Sequence, residues 1–320
     1  MIQYRSFRNY DTPQLIDVWR AQPRERGLAQ PVSVELFEQI VLSKPYFEND
    51  GLILAIDEGV VVGFVHAGFG PTDDGRGVNH RFGVTSLLLV RPNYQQADIG
   101  QELLARSESY LRGRGAEVLY AGGIRPLDPF YLGLYGGSEL PGVLASNQFA
   151  NGVFQAGGYL EIDRVIVLQR ELTGFRPPVD RVQMQIRRTS VIEETCDARP
   201  RSWWEACALD HFQVVSFDLV ERDETRPAAT ARFWILESFA AGWGVQAAGL
   251  YELEVAADRR RKGIATFLLA DAFRRLVAQG ISLIEVQTMT GNAAALALYR
   301  KLGFREVDQG IAYRKQVEFS

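Results

Sequence analysis

The chain has 320 residues and a net charge of −4. Its length suggests two domains, and its acidic balance argues against a protein that coats nucleic acid. Two cysteines (Cys196, Cys207) and three histidines (His66, His80, His211) give neither a disulfide framework nor metal-type spacing. No apolar run reaches the roughly 20 residues of a membrane helix, and the N-terminus MIQYRSFRNYD lacks the apolar core of a signal peptide. A cytoplasmic setting is expected, with no metal, no nucleic acid and no membrane partner.

In chain order, 2–7 reads as a strand, and Asp11 reads as the N-cap of a helix reaching about Ala21. Ser33 opens a second helix over 34–42. Strands 51–57 and 60–69 form a hairpin at Glu58-Gly59. A polar loop (71–83), a strand (84–90), a helix (100–112) and a strand (118–124) follow. The Pro-Pro segment 171–181 reads as a linker. Beyond it come a strand (182–188), a Trp-rich helix near 199–208, strands 211–220, 228–236 and 248–255, a helix to about Gln279 and a strand (282–289).

Two blocks recur in the same order. VRPNYQQADIG, from Val90, aligns with VAADRRRKGIA, from Val255; NQFANGVFQAGGY, from Asn147, aligns with NAAALALYRKLGF, from Asn292. Ordered recurrence indicates internal duplication. The first half carries a surplus between its blocks, RPLDPFYLGLYGGSELPGVL (125–144), read either as a loop completing an acceptor pocket or as a packed surface loop. Trp203 and Trp204 either line that pocket or pack in the core.

Arg260-x-x-Gly263-x-Ala265 follows a strand and opens a helix. The first N–H groups of a helix lack intrahelical acceptors and, with the helix dipole, attract anions. A phosphate or pyrophosphate suits this layout, although the spacing is neither Walker nor Rossmann. A charge run such as Arg259 to Lys262 also occurs as a plain solvated loop.

V-x-x-D-x-R-x-K-G-I-A (255–265) followed by N-x-x-A-x-x-L-Y-x-x-x-G-F (292–304) resembles the GNAT superfamily of acetyl-coenzyme A-dependent N-acetyltransferases. The resemblance is strong over about 248–307 and weaker over 84–160. It implies an α/β (α+β) fold of two tandem GNAT-like domains, each a mixed, mostly antiparallel sheet flanked by helices. These would be 1–170, degenerate, and 182–320, catalytic, joined by the linker 171–181. The tandem order resembles mycothiol synthases in architecture, and their substrate is not carried over.

The resemblance further implies acetyl-coenzyme A as cofactor. Leu253, Glu254 and Val255 would pair with pantetheine through main-chain groups. Arg260, Arg261, Lys262, Gly263, Ile264, Ala265 and Thr266 would surround the pyrophosphate, and Asn292 would position the cofactor arm. Tyr299 would protonate the departing thiolate. Glu252 or Glu285 would serve as base, or else face solvent. In the first half Asp98 stands in Gln95-x-x-Asp98-x-Gly100, where a carboxylate repels phosphate, and Phe154 replaces the tyrosine. The expected reaction is acetyl transfer to a primary amine of a small molecule, peptide or protein, by a monomer or homodimer. A non-catalytic acyl-coenzyme A sensor and a degenerate interaction scaffold remain the rival readings.

Overall fold

The asparagines that open the two repeated blocks both cap helices. Asn147 Oδ1 accepts from the Ala150 N–H at 3.0 Å, and Asn292 Oδ1 from the Ala295 N–H at 3.2 Å. These and all following distances come from a computed structural model describing residues 1–95 and 98–316.

The first half runs β1 (Gln3–Ser6), α1 (Thr12–Arg20), α2 (Val34–Phe37), β2 (Leu52–Asp57), β3 (Val60–Pro71), β4 (Val78–Val90), α3 (Ile99–Gly113), β5 (Val118–Ala121), β6 (Val143–Leu144), α4 (Gln148–Ala156) and β7 (Leu160–Glu171). The second runs α5 (Arg181–Thr189), β8 (Ser190–Cys196), α6 (Trp203–Leu209), β9 (Val214–Glu221), β10 (Pro227–Ile235), α7 (Glu237–Trp243), β11 (Ala247–Val255), α8 (Ile264–Ala278), β12 (Leu283–Met289), α9 (Ala293–Lys301) and β13 (Arg305–Gln316). Among the described residues no helix is long and apolar enough to cross a membrane.

The described strands form one sheet, ordered β1-β2-β3-β4-β5-β13-β7-β12-β11-β10-β9-β8, with β6 pairing β13. Its pairs are antiparallel except β4 with β5 and β11 with β12. The halves exchange their last strands. β13 lies between β5 and β7, and β7 lies between β13 and β12. Each half-sheet is thus completed by a strand of the other.

Most elements lie where the pattern sets them. Glu58 (φ 47°) and Gly59 (φ 85°) make the left-handed two-residue turn of the β2–β3 hairpin, and Ser33 Oγ caps Leu36 at 3.0 Å. Four expectations change. The Asp11 side chain does not cap α1, because its oxygens accept instead from the Arg5 guanidinium and the Arg8 N–H. Strand β4 begins at Val78, inside the expected polar loop, where it pairs with the end of β3. Strand β5 stops at Ala121. The expected strand 182–188 is helix α5. Val182, Met184 and Ile186 alternate as a strand would, but Asp180 Oδ1 caps the Gln183 N–H at 2.8 Å, and Gln183 and Ile186 turn inward while Val182 and Met184 stay exposed.

The surplus segment 125–144 is not a surface loop packed on itself. Phe130, Tyr131 and Tyr135 are buried in a core shared with Trp234, Phe239, Ala247 and Leu283 of the second half. Trp234 Nε1 donates to Ser138 O at 2.9 Å, and Gln287 Nε2 donates to Glu139 O at 2.8 Å. A Cβ at Gly249 would lie 2.7 Å from Ser138 Cβ, so only glycine lets the segment approach β11 this closely.

Candidate functional site

Strands β11 and β12 run parallel from Ala247 opposite Leu283 to Leu250 opposite Val286, and then part. The divergence begins at a β-bulge. Arg232 of β10 faces Glu252 while Phe233 faces Leu250, so Tyr251 is the extra residue. Such a bulge bends and twists its strand. The first half repeats it: His66 faces Leu87, Ala67 faces Thr85, and Ser86 is extra. Past Tyr251, β11 keeps β10 on one side and is open on the other. The Ala256 N–H reaches Ala228 O at 3.0 Å across β10. By alternation, Leu253 and Val255 turn their main-chain groups to the open side.

The open strand leads into an uncapped helix. Arg261 (φ 61°) and Gly263 (φ 81°) take left-handed backbone, and no side chain caps the first N–H groups of α8. A Cβ on Gly263 would also meet Val182 Cγ1 at 3.0 Å. Arg260 Nε donates to Val255 O at 3.1 Å and ties the turn to the strand end. Arg259 is engaged elsewhere, with Glu221 at 3.0 Å and Glu224 at 2.5 Å. Bare N–H groups, an open strand edge and adjacent guanidinium groups suit a diphosphate carrying an extended amide arm.

Strand, turn and α9 enclose a cleft of about 1040 Å³. Of the residues expected at the site, Glu252 to Val255, Arg260, Arg261, Gly263 to Thr266, Asn292 and Tyr299 line it; Lys262 and Glu285 do not. Asn292 spends its side-chain oxygen on the cap of α9. Tyr299 is buried against Phe304, with ring centroids 5.4 Å apart. Burial, and then the charge of Glu139, hold its phenol above the usual tyrosine range.

Neither expected glutamate is a free base. Glu252 is ion-paired with Arg201 and lies 3.5 Å from Arg232 Nε. Glu285 is fully buried on β12. Its Oε1 accepts the Ser138 N–H at 2.8 Å, and its Oε2 accepts Gln169 Nε2 at 2.8 Å and pairs with Arg26. A third carboxylate, Glu139, escaped sequence reasoning because it comes from the first half. It lines the cleft and forms no ion pair among the described residues. Burial, opposed by Arg125 and reinforced by Asp128 and Glu285, pushes its carboxyl up to about 8.

Glu139 and Tyr251 also line a second cavity, of about 490 Å³, between the halves. Trp204 forms part of its wall and stacks on Tyr46 with centroids 4.5 Å apart; Trp203 is more exposed and does not line it.

The corresponding region of the first half is smaller. Leu144 and Tyr135 are among its lining residues, and it holds about 350 Å³. Gln22 and Gln95 both donate to Val90 O, at 3.2 and 3.1 Å. Phe154 is packed against Tyr159 and Tyr313. Gln96 and Ala97 of the first-half loop lie outside the described residues.

Comparison with known proteins bears on the family and the fold. The model of the acetyltransferase (GNAT) family matches residues 13–136 and 181–304. A mycothiol acetyltransferase of Clavibacter michiganensis subsp. michiganensis is 37% identical over 68 residues, 21% of this chain and 22% of that protein. The alignment therefore spans about a fifth of that relative. Among solved structures, a tandem GNAT protein from the clavulanic acid biosynthesis pathway superposes with a TM-score of 0.67 at 14% identity, covering 100% of both chains. A GCN5-related N-acetyltransferase from Sphaerobacter thermophilus gives a TM-score of 0.62 at 16% identity, over 98% of this chain and 95% of that one. At these identities the structural likeness speaks for the fold.

Proposed function

Since the chain belongs to the acetyltransferase (GNAT) family and is an acyltransferase, we propose that its second half moves an acetyl group from acetyl-coenzyme A to a primary amine by direct attack. The observation that carries this reading is the open edge of β11 running into the uncapped N-terminus of α8, with Tyr299 lining the same cleft. We take residues 1–170 and 182–320 as the two units and 171–181 as their linker, each unit lending its last strand to the other.

Acetyl-coenzyme A would supply the acyl group and a thiol leaving group. The N–H groups of 264–266, with Arg261, would hold its diphosphate. The main-chain groups of Leu253 and Val255 would bind the amide arm and polarise the acyl carbonyl. Tyr299 keeps its proton at neutral pH and can give it to a departing thiolate. The first half has no counterpart of this acid at the matching position, because Phe154 carries no proton, and its cavity is about 350 Å³ against about 1040 Å³ in the second half. We assign it a structural part and the contribution of the 125–144 segment.

The test is titration calorimetry with acetyl-coenzyme A alongside an assay of free coenzyme A across a library of amines. Tyr299→Phe should lower kcat by about 10²–10⁴-fold with little change in cofactor affinity. Binding without turnover of any amine points to a sensor. No binding at all points to a scaffold and overturns the assignment.

A further inference from the structure

The cofactor cleft and the cavity between the halves share two lining residues, Glu139 and Tyr251. We propose that the acceptor amine sits in the inter-half cavity and that Glu139, supplied by the first half, is the base that takes its proton. This deepens the acetyltransferase reading and rests on it.

Four observations carry the proposal. First, the Glu139 main chain is held: Gln287 grips its carbonyl at 2.8 Å, Glu285 grips the neighbouring Ser138 N–H at 2.8 Å, and Trp234 grips the Ser138 carbonyl at 2.9 Å. Its carboxylate, by contrast, accepts no hydrogen bond among the described residues. Second, the carboxylates that the strands themselves supply, Glu252 and Glu285, are neutralised by arginines. Third, Ser138 Oγ at the junction has no partner among the described residues, while Trp204 Nε1 faces Asp128 and Tyr251 Oη faces Arg232. Ser138 is more than nine-tenths buried and lines the cavity. An unpaired buried polar group is costly and marks a place where a ligand's own polar group fits. Fourth, the cavity has the size of a small-molecule site, within the usual range of about 300–1,000 Å³.

The wall chemistry selects the acceptor class. Asp73, Asp74, Asp128 and Glu139 present carboxyl groups. Of the two arginines in the wall, Arg201 is already paired with Glu252, which leaves Arg125. The rest of the wall includes the indoles of Trp204 and Trp234 and apolar side chains such as Leu132. A primary amine on an aromatic or apolar body suits this wall. The same molecule carrying a carboxylate is repelled.

The step balances. The bound ammonium first loses one proton to solvent. The amine nitrogen then bonds to the acyl carbon, its remaining excess proton passes to a Glu139 carboxylate oxygen, and the C–S bond breaks. The thiolate takes the Tyr299 proton. Glu139 returns its proton to water, and Tyr299 is reprotonated from water. The groups that set the ionisation of Glu139 are Arg125, Asp128, Glu285 and Tyr299. Below its midpoint near 8 the carboxyl is protonated and accepts nothing, so kcat should rise as pH climbs through that value.

The experiment uses the full chain with tyramine and tryptamine, each against its carboxylated parent tyrosine or tryptophan. Free coenzyme A is measured from pH 6 to 10, and acetyl-coenzyme A binding is measured separately by calorimetry. Wild type should acetylate the two amines and reject the two amino acids. Glu139→Gln should lose about 10²–10⁴-fold in kcat and lose the acidic limb near 8. Glu139→Asp should restore part of the rate, and both variants should bind acetyl-coenzyme A as wild type does. Cofactor binding with neither amine turned over, or equal turnover of amines and amino acids, overturns the acceptor class. A retained limb and rate in Glu139→Gln overturns the base. Failure of wild type to bind acetyl-coenzyme A overturns instead the reading on which the proposal stands.

Discussion

Glu285 of the second half holds the Ser138 N–H of the first at 2.8 Å, and the same carboxylate is ion-paired with Arg26. Through this one side chain, three segments far apart in sequence meet at a fully buried point. The cost of removing one partner of a buried pair is about 3–5 kcal/mol, because the other charge is left uncompensated. Arg26 is only partly buried, at 19% side-chain exposure, which favours the lower end. Glu285→Gln should therefore lower the unfolding free energy by about 3 kcal/mol in urea titration. The Arg26→Ala, Glu285→Ala double variant should lose less than the sum of its single changes. Strict additivity would show that the pair carries no coupling.

The basic run divides by position rather than by charge. Arg261 lines the cleft beside the bare N–H groups of α8, whereas Lys262 does not line it and Arg259 is taken by Glu221 and Glu224. A charge-assisted hydrogen bond contributes about 1.5–3 kcal/mol. Arg261→Ala should weaken acetyl-coenzyme A roughly 10- to 100-fold, given that a factor of ten is about 1.4 kcal/mol. Lys262→Ala should stay within about threefold, as expected for an exposed charge. Calorimetry of the two variants at one ionic strength compares them directly. Equal losses would move the diphosphate away from Arg261.

What the sequence made legible was local. The Ser33 cap, the turn around Gly263, the hairpin at Glu58-Gly59 and the placing of Tyr299 on a short helix each depend on a few adjacent residues. Over α5 the alternation of Val182, Met184 and Ile186 favours a strand, while the opposing signal, the Asp180 cap, is a single residue. The strand exchange leaves no local trace, since β7 and β13 look the same whichever half they complete. Glu139 was hidden for the same reason. Its main chain is fixed by Gln287, 148 residues away, and the loop that carries it is fixed by Glu285. Glu285 in turn reads as an ordinary strand residue until Arg26 is found beside it.

His66 offers a test of the first-half core by pH. It lies on β3, fully buried, with its ring stacked on Phe130 at 4.1 Å between centroids and Nδ1 2.9 Å from Tyr131 Oη. Burial pushes its imidazole down to about 3, from an ordinary value of 6.5. Above 6.5 the ring is neutral in both folded and unfolded chains and contributes no slope. Between 6.5 and 3 the unfolded chain binds a proton that the folded chain refuses, so stability falls as pH falls, by up to about 1.4 kcal/mol per pH unit. Asp11, whose carboxyl burial raises but the Arg5 and Arg8 contacts lower further, loses its stabilising effect in the same acidic direction. The readout is therefore a difference. His66→Phe keeps an aromatic ring there and removes the titrating group. It should lose some stability at pH 7, where it forfeits the Tyr131 hydrogen bond, and its urea midpoint should decline less steeply than that of wild type from pH 6.5 toward 4. Parallel curves for the two proteins would mean that the imidazole titrates alike in both states, which its burial forbids.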